Sequence, residues 1–444
     1  MSPLSRRGFF GLGAAAGAVL LPGCSTPGMT SVNTQPVVPA ATGPVNLTYW
    51  SWLKDLQKVC DIWNADNPNV QVEATWLPSG NSGGYQKMYT ALAAGGTDPD
   101  LAQVEFRTVP EFMLVNGVVD LARYGAKDYA DRFDPTLWGQ VSYVGGVFGI
   151  PQDSGPMATF YRPDLLAAVD AEPPVTWDDW ASVAAELRRT NVYIDCFALA
   201  DASWFTAIAT QAGASWLRVD GDSWVIDMTD DATLDTARFF DKAIDDDLVT
   251  TAFGPFSTPW FAAAAANQIA TLTTGSWGDA LLAGVSGAEG KWRVAPMPRW
   301  SSGGFGSSFL GGSTVAVLST SRHPQEALDF AIWMQTSKEG IDALIEYCGI
   351  GWSPSRDYIG AQRQQPSAFF GGQNYNEEIF LPAAQQQNPD WSWWPLTQQS
   401  FNIISDGFRN KATGGTLVDA ITTAETNIIE AFRNKGLNIR KATS

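Results

Sequence analysis

The groups in this chain whose types could do chemistry are flat aromatic rings with carboxylates and amides among them. The sequence holds 19 tryptophans, and several stand outside any helical apolar stripe. A saccharide offers apolar C–H faces that stack on an indole, and hydroxyls that need fixed polar partners, so such a set suits a sugar. Trp277 comes directly after a strand-like run in Ile269-Ala-Thr-Leu-Thr-Thr-Gly-Ser-Trp277. Trp352, in Gly349-Ile-Gly-Trp-Ser-Pro354, has no periodic apolar neighbours. Asp390-Trp-Ser-Trp-Trp-Pro395 alternates in part, which would turn one indole towards a ligand; Trp391 and Trp393 are the candidates. Trp52 and Trp204 follow strands, whereas Trp63 and Trp180 sit at helical spacing and belong to the core. The polar candidates are Asp153, between two prolines, and Glu105 with Arg107 at the carboxyl end of a strand. Gly311-Gly312-Ser313 precedes another strand, where glycine permits close backbone approach to a ligand. Each has a plainer reading: a turn contact for Asp153, a solvated loop for Glu105 and Arg107, packing for the tryptophans.

Enzymatic alternatives find little to stand on. There is no Gly-x-Ser-x-Gly elbow, and the single histidine, His323, precedes Pro324 at a helix start, which disfavours a Ser-His-Asp triad. Cysteine and histidine spacing offers no zinc site, so no metal or cofactor is expected. A glycosidase needs two carboxylates at a fixed separation. The 46 acidic residues neither identify such a pair nor exclude it, so a secreted glycoside hydrolase stays open. So do a binding protein for a non-sugar solute and a purely adhesive lipoprotein. The formal charge of −18 argues against nucleic acid or anionic lipid as a partner and for a soluble monomer. Cys60 and Cys348 fall at helical spacing with apolar neighbours and read as buried; whether any two of Cys60, Cys196 and Cys348 form a disulfide is open.

The elements that must position these groups alternate. Strands over 46–50, 70–75 and 100–104 alternate with helices over 54–64, 85–94 and 109–115, the pattern of a doubly wound, mainly parallel sheet. Glycines in Tyr143-Val-Gly-Gly-Val-Phe-Gly-Ile150 supply a hairpin turn. Pro151 and Pro156 then bracket a polar segment that is apolar at both ends, which suits a chain crossing from one core to another. A second strand follows over 157–161, and Pro163 starts a helix. Thr176-Trp-Asp-Asp179 is a capping box, and a long amphipathic helix covers 416–432. Strands are also expected over 192–199, 269–272 and 311–318.

Gly149-Ile-Pro-Gln-Asp-Ser-Gly-Pro156 and Phe160-Tyr-Arg-Pro-Asp-Leu-Leu166 together resemble the hinge of the extracellular sugar-binding proteins of ATP-binding-cassette (ABC) importers, with Arg162 where that family usually has Asn or Lys. Trp50-Ser-Trp52, Thr97-Asp-Pro-Asp100, Asn116-Gly-Val-Val-Asp-Leu121 and Thr176-Trp-Asp-Asp179 follow in the family's order, so the resemblance spans 45 to about 435. It implies a two-lobed α/β fold of the type II periplasmic-binding-protein kind, with several hinge crossings and a carbohydrate held between the lobes. It further implies Trp277 stacking on a sugar, Ser313 and Gly312 on a loop lining the cleft, and permease subunits as partners. The lobes would be 45–153 plus 305–342, and 154–304 plus 343–444. The number of candidate tryptophans favours an oligosaccharide.

At the amino end, Ser5-Arg6-Arg7-Gly8-Phe9-Phe10 has the form of a twin-arginine signal, followed by a short apolar run. Leu21-Pro-Gly-Cys24 resembles a bacterial lipobox, which implies removal of 1–23 and acylation of Cys24. The uncharged stretch 24–44 then reads as a flexible tether, leaving the protein outside the cytoplasm and bound to the membrane through lipid alone.

Overall fold

A computed structural model describes residues 36–80, 83–143 and 145–443. The expected signal segment and Cys24 lie outside them. Residues 36–44 carry no helix or strand and are exposed, touching the body where Val38 N–H donates to the Tyr124 hydroxyl and Ala41 N–H to Glu326.

Two sheets organise the chain. In the first the order is Val70–Trp76, Val45–Ser51, Leu101–Glu105, Ser313–Val317, Ile150–Pro151. Val45–Ser51 pairs in parallel with both neighbours. Ser313–Val317 returns from late in the chain and is antiparallel to both of its own. In the second, Met157–Tyr161 lies antiparallel between Thr271–Gly275 and Arg293–Ala295. Asp195–Cys196, parallel to Val249–Thr250, joins it where Thr271 N–H donates to Ile194 O at 2.7 Å. The sheets are therefore mixed, which corrects the expectation of mainly parallel ones. The cause is topological: strands that enter by crossing from the other sheet arrive from the opposite direction and need no helical crossover.

Local signals explain most elements. Thr176 accepts the Asp179 N–H while Asp179 accepts the Thr176 N–H, closing the capping box that starts helix Trp177–Arg189. Its stripe Trp177, Trp180, Ala184 and Leu187 is buried. Ser142–Tyr143 pairs with Gly146–Val147 in the expected hairpin. The long carboxyl-terminal helix covers Leu417–Asn434, capped by Thr416. The strand expected over 192–199 shrinks to Asp195–Cys196. Cys60 is buried but Cys348 is only half-buried, and Cys60, Cys196 and Cys348 are all free thiols.

Most tryptophans pack with other aromatics. Trp177, Trp180, Trp204, Phe239, Phe240 and Trp300 form one cluster of tilted and edge-on rings, with centroids 5.0–6.5 Å apart. Such pairs add about 0.5–1.5 kcal/mol each beyond area burial. Between the sheets, segments 152–156 and 308–312 run side by side: Leu310 N–H donates to Gly155 O at 2.9 Å and Met157 N–H to Ser308 O at 2.9 Å. Ser154 N–H donates to Trp352 O at 3.1 Å, which brings a third segment to the same place.

Candidate ligand-binding site

A cavity of about 260 Å³ lies where the two sheets meet. The first sheet supplies Glu105, at the end of strand Leu101–Glu105, and Gly312, just before strand Ser313–Val317. The second supplies Thr274, near the end of strand Thr271–Gly275, and Trp277 two residues beyond it. Helix Ala202–Ala212 contributes Ser203, Trp204, Thr206 and Thr210. The position is that expected for a ligand in open α/β folds, beyond the ends of strands.

One wall is aromatic. The Trp277 indole donates Nε1–H to Leu310 O at 2.7 Å. Its pyrrole edge fits because three glycines surround it: a Cβ on Gly275 would stand 2.5 Å from Nε1, and one on Gly155 or Gly311 3.2 Å. Phe256 packs beside it, with centroids 5.7 Å apart. Phe256 holds φ at +59°, a left-handed conformation that costs a bulky residue about 1–3 kcal/mol. Its ring contacts with Trp260 and Phe261 help hold it there. Trp204 donates Nε1–H to Thr273 O at 2.7 Å, and Trp393 donates to Gln140 at 3.0 Å. These indoles are fixed before any ligand arrives.

The other wall is charged and polar. Arg107 forks onto Glu105, Nε to Oε1 at 3.2 Å and Nη2 to Oε2 at 3.0 Å, and lies 5.5 Å from the Phe401 ring centre. The Tyr85 hydroxyl also donates to Glu105, at 2.9 Å. Burial is the largest influence on the Arg107 pKa and lowers it, but Glu105, Tyr85 and Asp201 together outweigh it and hold the guanidinium above its ordinary range. Asp201 caps the helix through one oxygen, which accepts from Ser203 N–H and Oγ–H at 2.9 and 2.6 Å. Asp201 is otherwise exposed, and its charge also helps raise the Arg107 pKa. Carboxylates that accept and a guanidinium that donates are what a ring of hydroxyls requires.

Of the residues singled out in the sequence, Glu105, Arg107, Trp204, Trp277, Gly312 and Trp393 line this cavity. Asp153 and Ser313 sit behind it: Asp153 accepts from Ser313 N–H and Oγ–H at 2.5 and 2.7 Å, and Ser313 Oγ accepts from Gln103 at 2.9 Å. Burial raises the Asp153 pKa, against the lowering by those two Ser313 bonds. The pair reads as the polar joint of the crossing rather than as ligand contacts. Trp352 is buried at 5% exposure against Phe380, and Trp391 at 4% between Trp216 and Trp394. Neither ring offers a face to the cavity. Trp52 packs edge-on to Tyr85 and lies off the wall. Asp201, Phe256, Phe309 and Phe401 were not foreseen. Asp201 carried a signal, an acidic cap just before a helix; Phe401 lies on the buried apolar face of helix Thr397–Arg409, where sequence periodicity gives no sign of a ligand role.

Comparison with known proteins agrees with this geometry. Residues 49–341 match the family of bacterial extracellular solute-binding proteins. The arabinooligosaccharide-binding protein of Bacillus subtilis is 23% identical over 329 residues, covering 71% of this chain and 74% of the relative. The lactose-binding protein of Rhizobium radiobacter is 24% identical over 355 residues, covering 74% and 79%. Among solved structures, the galacto-N-biose/lacto-N-biose I-binding protein of the ABC transporter from Bifidobacterium longum, in complex with lacto-N-biose, superposes with a TM-score of 0.81. It is 27% identical and is covered completely by 90% of this chain. The architecture is that of the type II periplasmic binding proteins. With two mixed sheets, crossing segments between them and a family match over most of the chain, this protein belongs to the bacterial extracellular solute-binding proteins.

Proposed function

We propose that the protein is the substrate-binding component of an ABC importer, that it captures a carbohydrate in the cavity between the two sheets, and that it hands the sugar intact to permease subunits. The observation that carries this reading is a lining that brings rings and polar groups together: Trp277 and Phe256 with Glu105, Arg107 and Asp201. The relatives and solved neighbour named for arabinooligosaccharide, lactose and lacto-N-biose support a sugar over other solutes. We assign Trp277, Trp204, Trp393 and Phe256 to C–H faces, and Glu105, Arg107, Asp201 and the Gly312 backbone to hydroxyls.

The lobes in this reading are 45–153 plus 305–348 and 154–304 plus the remainder. The last crossing moves to about 349–357, because the turn Leu344–Cys348 continues helix Lys338–Ala343 and packs on helix Leu56–Asp66. Ligand contacts from both lobes favour the closed arrangement by differential affinity, the only way a ligand can shift such an equilibrium. Export by the twin-arginine route, a lipid anchor at Cys24 and a monomeric state complete the proposal. Among the described residues no helix is long and apolar enough to cross a membrane.

Titration calorimetry and tryptophan fluorescence against lactose, lacto-N-biose and arabino-oligosaccharides test it. Saturable binding with no new reducing ends is expected. If no sugar binds more tightly than about 1 mM while amino acids or polyamines raise the melting temperature, the carbohydrate reading fails.

A further inference from the structure

Helix Thr397–Arg409 begins without a cap of its own. The residue before it is Leu396, whose side chain cannot accept a hydrogen bond, yet the first-turn N–H groups still need partners. One partner comes from far away in the chain: Glu111, on helix Val109–Leu114, accepts the Gln398 N–H at 2.8 Å. In the lobe assignment above, these two residues belong to different lobes. They meet at the edge of the space between them. Gln398 borders both the opening beside Arg107 and Asp201 and a largely apolar groove of about 720 Å³. Tyr89, Leu92 and Leu114 line that groove from one lobe, Pro395 and Leu396 from the other. Among the described residues that line it, Glu111 is the only acid and Lys435 the only base. Burial raises the Glu111 carboxyl to about 7, against the Gln398 N–H and the charge of Arg107, four residues earlier, which favour ionisation. Burial likewise pushes up the Tyr89 hydroxyl, helped by Glu111, so that phenol stays neutral.

We infer that Glu111 is a latch between the lobes, a positioning residue that ties helix Thr397–Arg409 to the opposite lobe and couples sugar binding to the uptake of a proton. The inference rests on the two-lobed closing reading above. Glu111 lines neither the aromatic cavity nor the opening beside it, so it acts without touching the sugar. The coupling follows from what its burial depends on. The sides of the groove belong to different lobes, so parting them returns both the carboxyl and the Gln398 N–H to water. In water a glutamate ionises near about 4.3. The carboxyl therefore holds its proton more tightly when the lobes meet. Its contribution to the closed arrangement is full below about pH 4 and is lost as pH rises through 7. Asp195 differs: it accepts from Thr273 N–H at 2.9 Å and Cys196 N–H at 2.8 Å, both within its own lobe, so closure leaves it unchanged.

The test titrates lactose, lacto-N-biose and arabino-oligosaccharides into the full protein between pH 5 and pH 8, with Glu111→Gln and Glu111→Ala beside the wild type. Thermal melts check that both variants fold. Wild-type binding should tighten by about tenfold or more from pH 8 to pH 5. At pH 6 it should take up close to one proton, read from binding heats in two buffers of different ionisation enthalpy. Glu111→Gln keeps an acceptor for the Gln398 N–H and cannot ionise. Its affinity should match the wild type at pH 5, hold that value to pH 8, and bring no proton uptake. Glu111→Ala, without an acceptor, should bind more weakly than Glu111→Gln throughout. A wild-type affinity that is flat with pH, or a pH slope that survives in Glu111→Gln, refutes the latch while the carbohydrate reading stands. If no sugar of the panel binds, the carbohydrate reading falls, and small-angle scattering of the ligand-free protein decides the latch. The radius of gyration should then rise from pH 5 to pH 8 in the wild type and not in Glu111→Gln; an equal radius at both pH values overturns it.

Discussion

Replacing Trp277 separates a ring that holds a ligand from a ring that holds the fold. The indole is half-buried, its Nε1–H is committed to Leu310 O, and its pyrrole edge is fitted among Gly155, Gly275 and Gly311. Trp277→Ala removes both the stacking face and the hydrogen bond. A tryptophan that anchors a ligand typically loses about 2 kcal/mol or more on truncation, roughly a 30-fold weaker Kd. Trp277→Phe keeps an aromatic face and forfeits only the donor. A net neutral hydrogen bond is worth about 1 kcal/mol, so the phenyl variant should lie within roughly fivefold of wild type. Calorimetric Kd values for the tightest sugar of the panel, with thermal melts of all three proteins, give the ladder wild type, phenylalanine, alanine. Alanine binding within twofold of wild type would show that the ring face does no work in recognition. Phenylalanine as poor as alanine would place the whole effect in the Leu310 bond.

Three further outcomes follow from the packing. Burial raises the Glu111 and Asp195 carboxyls each to about 7, against backbone hydrogen bonds that lower them. Both hold protons more tightly when folded, so their contribution to stability is full below about pH 4 and is lost as pH rises through 7. Melting temperatures should therefore fall between pH 5 and 8, and Glu111→Gln should lessen the fall; an unchanged slope would contradict the assignment. Arg363 pairs with Asp279, donates to Ile350 O at 2.7 Å, and shares Asp279 with the Tyr375 hydroxyl, all of it buried. Arg363→Met leaves Asp279 uncompensated and should cost about 3–5 kcal/mol in urea denaturation, with Asp279→Leu added in the same chain recovering much of it. Gly155→Ala would drive a Cβ into the Leu310 carbonyl that receives the Trp277 indole, so it should weaken sugar binding as well as lower the melting temperature. Gly139→Ala, whose Cβ meets nothing within 4 Å, should do neither.

How far the sequence could be read depended on the range of the forces involved. Capping and turn chemistry act over three or four residues, so Thr176, Thr416 and the hairpin at 142–147 were legible, as was the crossing bracketed by Pro151 and Pro156. Strand direction was not, because it depends on which late segment returns beside an early one: Ser313–Val317 inserts between Leu101–Glu105 and Ile150–Pro151. The tryptophans show the same divide. Helical periodicity marked Trp63 and Trp180 as core. For loop tryptophans no periodicity exists to separate a buried ring from a wall, so Trp352 and Trp391 could not be told from Trp204, and only the family resemblance set Trp277 apart. Compositional richness in indole mostly fed aromatic clusters of the core.

Trp277 matters for a reason beyond its count among aromatics. It stands at the end of one sheet, yet its donor bond goes to Leu310, on the segment that leads into the other. The ring is thus oriented by the crossing itself, and the glycines beside its pyrrole edge leave room for that close approach. A ligand meeting a preset face pays less ordering entropy than one that must gather mobile side chains. In the same cavity Arg107 is held in a fork by Glu105, so these polar groups are also preset. With Glu105 and Arg107 at the end of a strand of one sheet and Trp277 just past a strand of the other, recognition in the proposed reading depends on the distance between them. In the proposed closure, a sugar that touches both would favour the arrangement that brings them together, and affinity and closure would be one equilibrium.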